Sequence, residues 1–201
     1  LASIELGRNF AKKNKIKNIK FVNADIFDDV FHDHTFDFIW TNGVLHHTKN
    51  PSLAFSIIAK YLKKEGYILV GLYNKYGRLR TVLRQYLYNF FGKKIVMILD
   101  PILRNIKKNN TQQIKSWIKD QYEHPIESLH TIDEVLKWFN DNDIEFISSI
   151  PLCDTENDLK QNIFKKSSKG TILSRLFSQI SMLFNNLGAD GGLFVVIGKK
   201  K

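Results

Sequence analysis

The stretch TNGVLHHTKNP, residues 41–51, places Thr41, Asn42, Gly43, His46 and His47 directly after the apolar run FDFIW and directly before an apolar pattern at helical spacing. Histidine titrates nearest neutral pH, so either imidazole could take or give a proton. A glycine among hydroxyl and amide side chains at the C-terminal end of a strand is how an α/β protein makes room for a ligand. A metal or a hydrolytic triad could draw on the same residue types. Adjacent histidines cannot face one ion in the usual way, however, and no Cys or carboxylate stands at ligand spacing, so no metal is expected. No G-x-S-x-G elbow is present, which removes an α/β-hydrolase.

The surrounding elements alternate. Residues 2–14 read as a helix with Leu6, Phe10 and Ala11 on one side, and IKFVNADI (19–26) as a short strand ending in an acid. FDFIWTN (36–42) is a nearly continuous apolar strand of the kind covered on both faces. Asn50 followed by Pro51 is a helix start, Ala54, Ile57, Ile58, Tyr61 and Leu62 follow at helical spacing, and KKEG reads as the stop. YILVGLY (67–73) is the next buried strand. Strand–helix–strand alternation predicts a mainly parallel sheet. Later, Thr131 with Glu134 predicts a capping box, IEFISSIP (144–151) and GLFVVIG (192–198) predict two strands, and 172–188 predicts a helix between them.

The net charge of +10 is unevenly placed: residues 75–119 hold eleven Lys/Arg against one Asp/Glu, whereas residues 120–201 hold nine against twelve. A local basic surface follows, suited to an anionic membrane, nucleic acid or an acidic substrate, or simply to solvation. Leu79, Val82, Leu83, Tyr86, Leu87, Phe90 and Phe91 recur at helical spacing within it, so 78–91 reads as an amphipathic basic helix. Its aromatic residues are expected on one buried face, which counts against an RNA-binding surface. The longest apolar run is far short of the roughly 20 residues of a membrane span, and the single Cys153 has no intramolecular disulfide partner, so a cytoplasmic location is expected.

FVNADI, FDFIWTNGVLHHTKNP, YLKKEGYILVGLYN and the closing GLFVVIGKK together resemble the middle and end of a class I S-adenosylmethionine-dependent methyltransferase. The resemblance implies a Rossmann-like α/β sheet of strand order 3-2-1-4-5-7-6 with an antiparallel last strand. Residues 1–201 would form one partial domain with a basic helical insertion at about 75–125 and a second insertion at about 152–190. The sequence contains no G-x-G, the turn that lets backbone approach the methionine end of the cofactor, so an N-terminally truncated copy, inactive by itself, is expected.

Carried over residue by residue, the resemblance implies that Asp25 accepts from the adenine amino group and Ile26 packs on the ring. Thr41, Asn42 and Gly43 would line the methionine end. His47 is the candidate catalytic base, and His46, Tyr73, Asn74, Tyr122 and His124 are candidates on the acceptor side. The acceptor is expected to be a small molecule or lipid-like, with S-adenosylmethionine as cofactor and no obligate protein partner. A non-catalytic binding or membrane-associated module and an RNA methyltransferase are the alternatives. Helix 78–91 could be a lid or a contact with an anionic bilayer.

Overall fold

Four strands form one mixed sheet in the order β1-β2-β4-β3, with β1 at Phe36–Asn42, β2 at Leu62–Tyr73, β3 at Ile144–Ile150 and β4 at Leu193–Lys200. The computed structural model describes residues 2–106, 110–123, 126–154, 162–184 and 192–201. β1 and β2 pair in parallel, and β4 runs antiparallel to both β2 and β3. Three strands therefore share one direction and the last opposes them, the order and directions expected for the final four strands of the 3-2-1-4-5-7-6 sheet.

Alternation along the strands divides the apolar residues between two faces. Ile68, Val70 and Leu72 of β2 with Phe194 and Val196 of β4 meet α2 (Pro51–Lys60) and α7 (Ile132–Asp141), forming the main core. Phe55 of α2 stacks on Phe139 of α7, ring centroids 5.7 Å apart. Leu69, Ile147 and Ile197 point to the other face, where Phe38 and Trp40 of β1 stay exposed. α2 starts as the sequence predicts, with Asn50 Oδ1 accepting from the Leu53 amide and Pro51 in the first turn. The Thr131–Glu134 capping box opens α7.

Two local readings are corrected. KKEG does not stop the helix: α2 ends at Lys60 and β2 already begins at Leu62, which is buried and pairs with Phe36. Residues 19–26 form no ladder, although α1 (Ala2–Lys13) precedes them as expected. Among the described residues no strand lies beside them to complete their hydrogen bonds, and an extended segment without a neighbour is not a strand.

After β2 the chain leaves the sheet through α3 (Leu79–Phe91), α4 (Lys93–Leu99), α5 (Pro101–Asn105) and α6 (Thr111–Tyr122). Val96, Leu103, Ile114, Ile118 and Tyr122 give these helices a small core of their own. α8 (Ile172–Ser181) lies between β3 and β4 in sequence. No helix among the described residues is long and apolar enough to cross a membrane.

Candidate active site

The site is built where β1 and β2 end side by side. Asn42 closes β1, and its side chain lies across Gly71 of β2 so closely that a Cβ there would fall 1.8 Å from Asn42 Oδ1. Gly43 follows with φ +74°, a conformation few side chains adopt, and a Cβ there would meet nothing within 4 Å. The chain thus turns off the strand with open space beside it. Thr41, one residue back, is buried, and its Oγ1 has no hydrogen-bond partner among the described residues. A buried hydroxyl left in that state is costly unless something else meets it.

A short 3-10 turn, Leu45–His47, then tucks Leu45 and His46 fully inside while His47 stays half-buried. His46 lies over the Tyr73 ring at 4.1 Å between centroids, and His47 meets His46 edge-on at 4.2 Å. The Arg78 guanidinium sits on the same Tyr73 ring, 3.5 Å from its centroid. Burial pushes the Tyr73 phenol above its ordinary pKa, against the opposing pull of the Arg78 charge. Arg78 is itself held by Glu127 through Nε and Nη2 at 3.1 and 2.9 Å, and its Nη1 donates to Gln121 Oε1 at 2.8 Å.

Residues 126–130 cross the strand ends and fix the two histidines. The Ser128 amide donates to the His46 carbonyl at 2.9 Å, and the His130 amide to the Tyr73 carbonyl at 2.9 Å. His47 Nδ1 lies 3.0 Å from the Ile126 carbonyl oxygen. A carbonyl only accepts, so Nδ1 carries the hydrogen and Nε2 is the basic atom of the neutral ring. Arg78, Gln121, Glu127, Ser128 and His130 are not among the sequence candidates, which within 120–131 are Tyr122 and His124 alone.

The other predicted residues take different places. Asp25 and Ile26 line an open groove of about 330 Å³ together with Val22, Phe31, Ile58 and Tyr61. One Asp25 oxygen accepts from the Phe27 amide at 3.0 Å, a turn-capping bond, and the other takes no protein hydrogen bond among the described residues. Thr41, Asn42 and Gly43 are not among the residues lining that groove. Asn74 is buried, receiving the Tyr76 and Gly77 amides and donating to Gln179. Tyr122 belongs to the helical core, its hydroxyl donating to Asp100. His124 lies outside the described residues.

Residues 2–143 match the family model described as a methyltransferase domain. The chain belongs to that family. No curated protein matches it. Among solved structures, PKMT2 from Rickettsia typhi in complex with AdoHcy is similar over 100% of this chain and 43% of its own, at TM-score 0.69 and 13% identity. PKMT2 without that ligand gives 0.67 over 98% and 42%, at 12% identity. A methyltransferase structure from Bacillus halodurans covers 98% of this chain and 78% of its own, at 0.52 and 14%. The chain thus spans less than half of PKMT2, and these likenesses carry the fold. The methyltransferase family carries S-adenosylmethionine as its cofactor. Features of this chain fit such a molecule: the buried Thr41 hydroxyl, which has no partner among the described residues, the open space at Gly43, and the groove that holds Asp25 and Ile26.

Proposed function

We propose that the protein transfers a methyl group from S-adenosylmethionine to a small-molecule or lipid-like acceptor at the ends of β1 and β2, with His47 as the base. The observation that carries this is the His47–Ile126 hydrogen bond, which fixes the imidazole with Nε2 as its basic atom at the strand end that bears Thr41–Gly43. The bound cofactor supplies a methyl on a sulfonium for in-line displacement. Alignment and exclusion of water carry most of that reaction, and a base assists where the acceptor is a hydroxyl or amine. Asp25 would accept from the adenine amino group, Ile26 would pack on the ring, and Thr41, Asn42 and Gly43 would line the methionine end. His47 Nε2 would take the acceptor's proton. His46, stacked on Tyr73 and fully buried, would hold His47 in place.

Calorimetry of the full-length protein with S-adenosylmethionine should show binding that weakens roughly tenfold to a hundredfold in Asp25→Ala, the loss expected for a charged hydrogen bond. In a coupled assay for S-adenosylhomocysteine on the full-length protein, His47→Ala should lower turnover by about 10²–10⁴-fold. Unchanged turnover would take His47 out of the chemistry.

The second reading is a binding module that keeps the fold without the chemistry, and a G-x-G turn ahead of these 201 residues would count against it. Absence of cofactor binding in the same calorimetry would favour it.

A further inference from the structure

α3 is turned inside out. Leu79, Leu83, Tyr86 and Phe90, spaced i, i+4, i+7 and i+11, fall within about 60° of one another around the helix. They are 50%, 61%, 62% and 82% exposed. The opposite face meets the protein, and it is the polar one. Thr81 is buried, Gln85 donates to the Gln121 carbonyl at 2.9 Å, and Tyr88 stacks on Tyr122 and donates to Glu123. The expectation of a buried aromatic face is therefore corrected: the hydrogen bonds of Gln85 and Tyr88 orient the helix so that its apolar stripe points outward. Ile98 of α4, the next helix, is also exposed.

Charge selects what could cover this stripe. No acidic residue occurs between Glu65 and Asp100, and Asp100 is buried and accepts from Trp117 and Tyr122. Arg80, Lys93 and Lys94 are exposed in the same stretch, and Arg84 is half-buried. Aliphatic and aromatic residues in a stripe, with cations in the same stretch and the acid that the helix meets, Glu123, held by Tyr88 on the opposite face, match a helix lying in the interface of an anionic bilayer. A nucleic-acid surface would instead interleave bases and aromatics without an aliphatic stripe. We propose that α3 docks the protein peripherally on anionic lipid, its stripe entering the acyl boundary and Arg80, Lys93 and Lys94 meeting lipid phosphates. α3 leaves Tyr73 through only residues 74–78, so docking sets the candidate site beside the lipid surface.

Flotation of the protein with phosphatidylcholine vesicles, with and without phosphatidylglycerol, tests this without cofactor, so its outcome is independent of the methyl-transfer reading. The expected result is binding that needs phosphatidylglycerol and falls at least about tenfold at high salt. It should be lost in Leu83→Glu/Phe90→Glu, whose side chains are exposed and whose fold circular dichroism would confirm. Arg80→Glu/Lys93→Glu should remove the salt-dependent part while leaving the stripe intact. Absence of vesicle binding by the wild type would overturn the proposal. So would retention on RNA in place of vesicles, or self-association abolished by Leu83→Glu/Phe90→Glu, which would make the stripe a contact between copies.

Discussion

Arg78 shows how far one residue's role can depend on a distant partner. Its side chain is completely inaccessible, and Glu127, which closes a two-pronged ion pair with it, lies 49 residues further on and is itself largely buried. Removing one partner of such a pair strands a charge, which costs far more than the pair itself contributes. Glu127→Ala should therefore destabilise the protein by about 3–5 kcal/mol, lowering Tm by roughly 6–20 °C, as urea and thermal unfolding would show. A loss below about 1 kcal/mol would mean that water reaches the guanidinium in solution. Nothing local announces this. Arg78 sits in a run of basic residues that reads as a solvated helix face, and only the fold brings Glu127 and Gln121 over it. GVLHH was legible for the opposite reason: a glycine turn, two polar rings and an Asn-Pro helix start are all signals written within ten residues.

At the scale of elements, the same contrast separates what periodicity tells from what neighbours decide. Helical spacing gave α3 and its stripe, but spacing cannot say which face is covered, and here the hydrogen bonds of Gln85 and Tyr88 put the polar face inside. Strand-like composition marked 19–26, yet a strand exists only through its ladder. The small helical unit rests on Asp100, whose Oδ1 caps α5 through the Ile102 and Leu103 amides and whose Oδ2 accepts from Trp117 and Tyr122.

Burial pushes the Asp100 carboxyl up, but the Tyr122 hydroxyl, the Trp117 indole and the two amides together outweigh it and hold it below the ordinary carboxylate value. A folded value below the unfolded one means that this group's stabilisation is fully present above the unfolded carboxylate range, about pH 4–5, and drains as pH falls through the lower folded value. The Trp117 indole N–H resonance should therefore hold its folded position at neutral pH and shift as acid loosens α5 and α6. Asp100→Asn should show an altered Trp117 resonance already at neutral pH and lose that acid response. Asp100→Ala, which also removes the cap, should destabilise the helices by about 2–4 kcal/mol in urea unfolding.

For the whole molecule, the sheet is finished at one side of β1 and open at the other. Among the described residues β1 pairs only with β2, so alternate N–H and C=O groups along its outer side have no strand to meet. On one of its faces Phe38 and Trp40 stand exposed, and Leu6 and Phe10 leave the apolar side of α1 exposed as well. An unpaired edge with large apolar side chains is a template for pairing with another chain. The 201-residue chain should therefore self-associate as its concentration rises, and Trp40→Lys, with a charge where the edge would dock, should shift it toward monomer in sedimentation velocity. Because this association runs through β1, Leu83→Glu/Phe90→Glu on α3 should leave it unchanged, which separates it from lipid docking by that helix. A wild-type chain that stays monomeric across roughly 1–100 μM, the range in which exposed strand edges usually associate, would show that the β1 edge is covered in solution.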